Sequence, residues 1–137
     1  MPLFDTTFIV DLSKSEPGAL REAQRTDAEN SPPALSVVSV HEYLVGVHRK
    51  YQSNTKEALQ EKLSTARSQI SRFDVVPMTL EIAEVSSALQ CELLGLGKLI
   101  GTNGLYIAAT ALKLELTLVT RNVAEFKQVP KLKVQSY

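Results

Sequence analysis

Leu35-Ser36-Val37-Val38-Ser39-Val40-His41-Glu42 changes character half-way along its length. Leu35 to Val38 is an apolar, β-branched run of the kind expected for a strand covered on both faces. From Ser39 to Val47 the pattern reads as a helix. Ser39-Val40-His41-Glu42 also has the S-x-x-E form of a capping box, in which the glutamate reaches back to the cap residue's N–H. A first-turn carboxylate at the end of a strand can also face a cleft, so Glu42 carries two compatible readings. His41 is beside it but points elsewhere on a helix, and reads as a satisfied or exposed histidine.

Working outward, the same strand-then-helix alternation recurs. Towards the N-terminus, Asn30-Ser31-Pro32-Pro33 is a loop. Pro17 suits the first turn of a helix running through Ala28. Thr6 to Ser13 is a helix with Phe8, Ile9 and Leu12 on one side, and Leu3-Phe4 is a first strand ended by Asp5. In the other direction lie a polar-rich helix from Thr55 to Ser71 and a strand from Phe73 to Val76, stopped by Pro77. Thr79 can cap a helix in which Ile82, Val85, Leu89 and Leu93 form a stripe, ended by Gly95 and Gly97. Leu105 to Leu114 is almost wholly apolar and predicts a buried helix. Thr117 to Thr120 is a fourth strand, and Lys131 to Gln135 a short edge strand. The alternation predicts one α/β domain over 1–137: a three-layer α/β/α sandwich around a mostly parallel sheet of four to five strands.

Composition narrows the function classes. With 137 residues, the chain is long enough for one core. Lys+Arg and Asp+Glu are both 15, which argues against a protein that coats nucleic acid by bulk charge but not against one local RNA-binding patch. The one cysteine, Cys91, allows no internal disulfide and no zinc-type spacing, and is expected as a small core or boundary residue. No apolar run approaches the ~20 residues of a membrane span. The N-terminus lacks a basic region before its apolar stretch, so the expected location is the cytoplasm.

Parallel sheets place their sites just beyond the carboxyl ends of the strands. Asp5, Ser39 to Glu42, and Thr120 to Asn122 all fall at such ends, which predicts one shared site. Asp5 is either a helix cap or a metal ligand. Thr7 adds a hydroxyl to the same pocket or solvates the helix start. Asn122 is a candidate cap, with Glu125 completing an N-x-x-E box.

Four segments in order carry a family resemblance: Phe4-Asp5-Thr6-Thr7, Val40-His41-Glu42-Tyr43-Leu44-Val45-Gly46, Ile100-Gly101 through Ala108-Ala109, and Leu118-Val119-Thr120-Arg121-Asn122-Val123-Ala124-Glu125-Phe126. Together they resemble a PIN-domain ribonuclease, and within that family a VapC-type toxin of a prokaryotic toxin–antitoxin pair. The resemblance implies hydrolysis of RNA phosphodiesters with Mg²⁺ or Mn²⁺, neutralisation by a VapB-like antitoxin whose tail enters the acidic cleft, and a homodimer. Hard divalent cations take oxygen ligands, so clustered carboxylates suit that chemistry. Asp5 then matches the family's first acidic ligand and Glu42 its second. Asn122, near Thr120, falls at a more variable fourth position, where it can offer a carbonyl oxygen or orient a water.

The third position departs from the family. In Gly101-Thr102-Asn103-Gly104-Leu105-Tyr106-Ile107 the register puts Gly104 where an aspartate is expected. Glycine offers no side-chain oxygen, and Asn103 is a neutral substitute at best. Asn103-Gly104 is also a hairpin-turn dipeptide, but the alanine-rich flank without alternation favours a helix. Gly104 is either a natural degeneration or a deliberate inactivating substitution. The expectation is therefore a weakened ribonuclease, with a catalytically dead RNA- or antitoxin-binding member of the same fold as the alternative. Arg49, Lys50 and Arg121 are candidate phosphate contacts, and residues 55–71 and 79–95 are candidate interaction surfaces.

Overall fold

The computed structural model describes residues 1–30 and 32–137; Ser31, in the expected loop, lies outside the described residues. The chain runs β1 (Pro2–Phe4), α1 (Thr6–Ser13), α2 (Pro17–Ala28), β2 (Ala34–Ser36), α3 (Val37–Tyr51), α4 (Lys56–Ile70), β3 (Asp74–Val76), α5 (Leu80–Gly95), α6 (Thr102–Lys113), β4 (Thr117–Val119), α7 (Val123–Phe126) and β5 (Val134–Gln135). The five strands form one sheet in the order β3-β2-β1-β4-β5, and every pair is parallel. The expected α/β sandwich with a parallel sheet is therefore what the chain adopts.

The period-two alternation of the strands divides the core. Leu3, Ala34 and Leu118 pack on one face with Leu89, Leu93, Leu105 and Ala108 of α5 and α6. Their neighbours Phe4, Leu35 and Val119 pack on the other face with Phe8, Leu12 and Tyr43 of α1 and α3. Adjacent residues of one strand thus serve opposite layers, which is why these short strands are apolar throughout. Chain order reverses at β1: the chain next pairs β2 on one side, and β4 returns to the other. The crevice at the carboxyl ends of β1 and β4 lies at that switch point, where α/β sheets bind ligands.

Several boundaries differ from expectation. Strand β2 ends at Ser36, where its pairing with Val76 ends, and α3 starts two residues earlier than expected. Ser36, not Ser39, is the cap: its Oγ accepts the Val38 N–H at 3.1 Å. The Ser39–Glu42 capping box is not formed, since Ser39 sits buried inside the helix with its hydroxyl unpartnered. Helix α3 also runs on to Tyr51, taking Arg49 and Lys50 into its last turn. Helix α6 begins at Thr102, so Gly104 is its third residue rather than lying ahead of it.

Thr79 caps α5 as expected, accepting the Ile82 N–H at 3.2 Å. The helix ends in a Schellman arrangement: Lys98 N–H donates to Leu93 O at 2.8 Å and Gly97 N–H to Leu94 O at 3.0 Å. Gly97 has φ +70°, a conformation glycine adopts without a side-chain penalty. Cys91 is exposed, contrary to expectation. It lies two residues from Leu89, about 200° around the helix, and so points off the buried stripe.

Candidate active site

Asp5 follows β1 and occupies the N-cap position of α1, yet its carboxylate makes no capping hydrogen bond. It turns into the crevice instead. Its Oδ1 accepts the Thr7 hydroxyl at 2.5 Å and its Oδ2 accepts the Thr120 hydroxyl at 2.6 Å. The second bond joins residues that follow adjacent parallel strands and are 115 apart in sequence. Asp5 is only 3% exposed. Burial pushes its carboxyl above the ordinary range, and the hydroxyls of Thr120 and Thr7 offset part of that rise by stabilising the ionised form.

Glu42 reaches the same crevice from the second turn of α3, where its Oε1 accepts the Thr6 hydroxyl at 2.6 Å. Consecutive threonines at the start of α1 thus each donate to one carboxylate, Thr6 to Glu42 and Thr7 to Asp5. Thr120 does a second job by accepting the Asn122 N–H at 2.9 Å. That bond, rather than an N-x-x-E box, shapes the entry to α7, because Asn122 makes no side-chain cap.

Asp5, Glu42, Gly104, Asn122 and Arg121 all line one cleft of about 460 Å³, together with Thr6, Thr7, Asp11 and Glu125. Asn103 does not line it: it is exposed on the first turn of α6, and so offers no substitute oxygen there. Arg49 also stays outside, and Lys50 opens into a neighbouring groove. His41 is exposed, as expected.

Two cleft residues, Glu125 and Asp11, and one residue bonded to the cleft wall, Tyr137, escaped sequence reasoning. Glu125 was read as a cap partner but faces Gly104: a Cβ on residue 104 would sit 3.3 Å from Glu125 Oε1 and 3.1 Å from Ile100 Cγ1. Asp11 shares a helix face with Thr7 at the i, i+4 spacing, a signal present in the sequence. Tyr137 gave none. Its hydroxyl donates to Asp11 Oδ2 at 2.7 Å, and burial together with Asp11 keeps the phenol protonated beyond its usual range. Arg121 lies over the Tyr137 ring, 4.9 Å from the centroid, and pairs with Asp11 at 3.2 Å and Glu16 at 2.7 Å.

The donor set can be compared with what a hard cation needs. Asp5 and Glu42 present carboxylate oxygens, each carboxylate with spare lone pairs beyond its threonine bonds. Among the described residues, however, no three acidic, histidine or cysteine side chains are grouped closely enough to hold a metal ion. The site as it stands does not fit a complete carboxylate metal centre.

A family model described as the PIN domain matches residues 3–132. The chain is 30% identical over 135 residues to a Ribonuclease VapC2 of Rickettsia felis, covering 98% of this chain and 96% of that protein. It is 24% identical to a tRNA(fMet)-specific endonuclease VapC of Salmonella typhimurium, with the same coverage. Among solved structures, VapBC2 of Rickettsia felis bound to a DNA fragment from its promoter superposes with a TM-score of 0.81 at 29% identity, covering 99% of this chain and 98% of that one.

Proposed function

The chain belongs to the PIN-domain family, and on that premise we propose that it is a VapC-type toxin, an endoribonuclease by descent that is weakened in this chain and held by a VapB-like antitoxin. The observation that carries the reading is the convergence of Asp5 and Glu42, 37 residues apart, on one cleft that also contains Gly104. The named relatives and the VapBC complex of similar fold support both the activity and the partner.

Mg²⁺ or Mn²⁺ belongs to this proposal by resemblance. The residues of this chain explain why such a cation would be held weakly. Two carboxylates remain of the three main positions, and the third is a glycine. Even an outer-sphere disturbance of a metal site costs ~10- to 100-fold in affinity or activity, and loss of a direct charged ligand is a larger change. What the chain does supply is order: the threonine hydroxyls fix the Asp5 and Glu42 rotamers, so those carboxylates need little rearrangement to engage a charged ligand. A homodimer forms part of the same proposal.

The alternative is a member that binds RNA or its antitoxin without cutting. The incomplete carboxylate set favours it specifically. Cleavage of mixed tRNA and rRNA by this chain and by Gly104→Asp, in Mn²⁺ and in chelator, separates the two. Cutting by the aspartate form alone, and only with Mn²⁺, supports the disabled ribonuclease. Intact RNA with both proteins supports the binding member. Cutting by the glycine form means the site works without that ligand.

A further inference from the structure

The cleft has one cation in its wall, Arg121, and that cation is already engaged by Asp11, Glu16 and the Tyr137 ring. RNA phosphates must therefore find positive charge elsewhere. A second groove of about 380 Å³ opens between α1, α3 and α4, and it shares Val10 and Glu42 with the cleft. Lys14 lines it from just past the end of α1, Lys50 from α3 and Lys62 from α4. Among the described residues none of the three makes an ion pair. Among the described residues Glu42 is the one carboxylate that lines the groove, and it sits at the junction with the cleft, bonded to Thr6.

Tyr51 organises two of these lysines. The Lys50 ammonium stands 5.5 Å, and the Lys62 ammonium 5.4 Å, from the centre of its ring. Lys50 lies in the last turn of α3 and Lys62 in α4, so the ring gathers charge from two elements that meet across the groove. A groove carrying three cations that make no ion pair among the described residues, with an aromatic residue and two lining residues in common with the cleft, has the composition of a single-strand binding channel.

We propose that this groove is the track for single-stranded RNA flanking the cleft, with Lys14, Lys50 and Lys62 contacting backbone phosphates and Tyr51 holding the latter two lysines in place. The proposal rests on the ribonuclease reading of the cleft, and it moves phosphate binding away from Arg49 and Arg121. A groove of this charge also suits an acidic peptide segment; continuity with the cleft through Val10 and Glu42 favours RNA.

Fluorescence anisotropy with a single-stranded RNA oligonucleotide, in chelator to prevent cutting, tests it across a salt series. Lys14→Gln/Lys50→Gln/Lys62→Gln should bind about tenfold or more weakly, and the slope of log affinity against log salt should fall by about 2, from ~0.7 per lost contact. Tyr51→Leu should weaken binding while Tyr51→Phe does not. Lys113→Gln/Lys131→Gln/Lys133→Gln makes the same charge change away from the groove and should retain affinity. Unchanged binding and slope in the groove variant overturn the proposal, as does an equal loss in the control variant. If RNA binding survives and binding of the partner antitoxin is lost instead, the groove belongs to a protein and the RNA track is wrong. If the unaltered chain binds no RNA at all, the ribonuclease reading falls together with the groove. All the lysines are exposed, so matching melting curves are expected and confirm that the variants are folded.

Discussion

The Glu125 carboxylate lies against the face of Gly104, with Oε1 3.3 Å from where a Cβ on residue 104 would be. The acid of α7 thus borders the space that an aspartate side chain on residue 104 would enter from α6. Any aspartate at 104 must share that space with Glu125 and displace Ile100 by a few tenths of an ångström.

Gly104→Asp should accordingly change stability by no more than about 1 kcal/mol without divalent cation. Replacing a helical glycine and placing an acid in the first turn gain up to ~1 kcal/mol each, while crowding against Ile100 costs ~1 kcal/mol or more. The new carboxylate beside Glu125 adds repulsion that a cation relieves. Mn²⁺ should therefore raise the melting temperature of the variant more than that of the unaltered chain. Equal shifts would mean that residue 104 does not contribute to a cation site.

Thr120→Val should destabilise the fold by ~1–3 kcal/mol in urea denaturation. The substitution keeps the shape but leaves buried Asp5 Oδ2 and the Asn122 N–H without their partner. Thr120→Ser keeps the hydroxyl and should lose much less. Equal losses for the two would point to packing, not the hydrogen bonds.

Glu16→Gln tests a pH effect. The Glu16 carboxyl is lowered from its ordinary 4.5 by the Ala19 N–H that it caps, helped by the Gly18 N–H and Arg121. Its folded-state pKa is depressed, so its contribution is present above 4.5 and is lost as pH falls through the lower folded value. The variant should melt below the unaltered chain at pH 7, and the two curves should converge as pH falls below 4.5. A gap that persists in acid would mean that the ionised form is not what stabilises.

Leu94, Leu96 and Leu99 are 55, 56 and 79% exposed, close together at the end of α5. The proposed homodimer gives them a use, since large exposed apolar clusters mark contact surfaces. Sedimentation should find a dimer for the unaltered chain and a monomer for Leu94→Glu/Leu99→Glu. A variant that stays dimeric places the interface elsewhere, and a monomeric unaltered chain removes the homodimer from the proposal.

The sequence by itself determined the layers and the parallel sheet, and placed the carboxyl ends of the strands to within a residue or two. Those are local properties: β-branched runs, helical stripes, a Thr79 cap and acids at element ends can be read within a few residues. It also carried the expectation at Gly104, because one absent side chain is legible without coordinates. Only the tertiary structure decided how these residues are used. Ser36 took the cap that the Ser39-x-x-Glu42 spacing suggested, because sheet pairing ended at Val76. Asp5 gave its oxygens to the hydroxyls of Thr7 and Thr120 rather than to the backbone of its own helix, and Glu42 took a hydroxyl from Thr6. Glu125 and Asp11 entered the cleft, Tyr137 bonded to Asp11 in its wall, and Arg121 was occupied by Asp11 and Glu16. Each of these outcomes is a competition for hydrogen bonds and charge between groups tens of residues apart, and such a competition is settled only when the sheet brings the strand ends together.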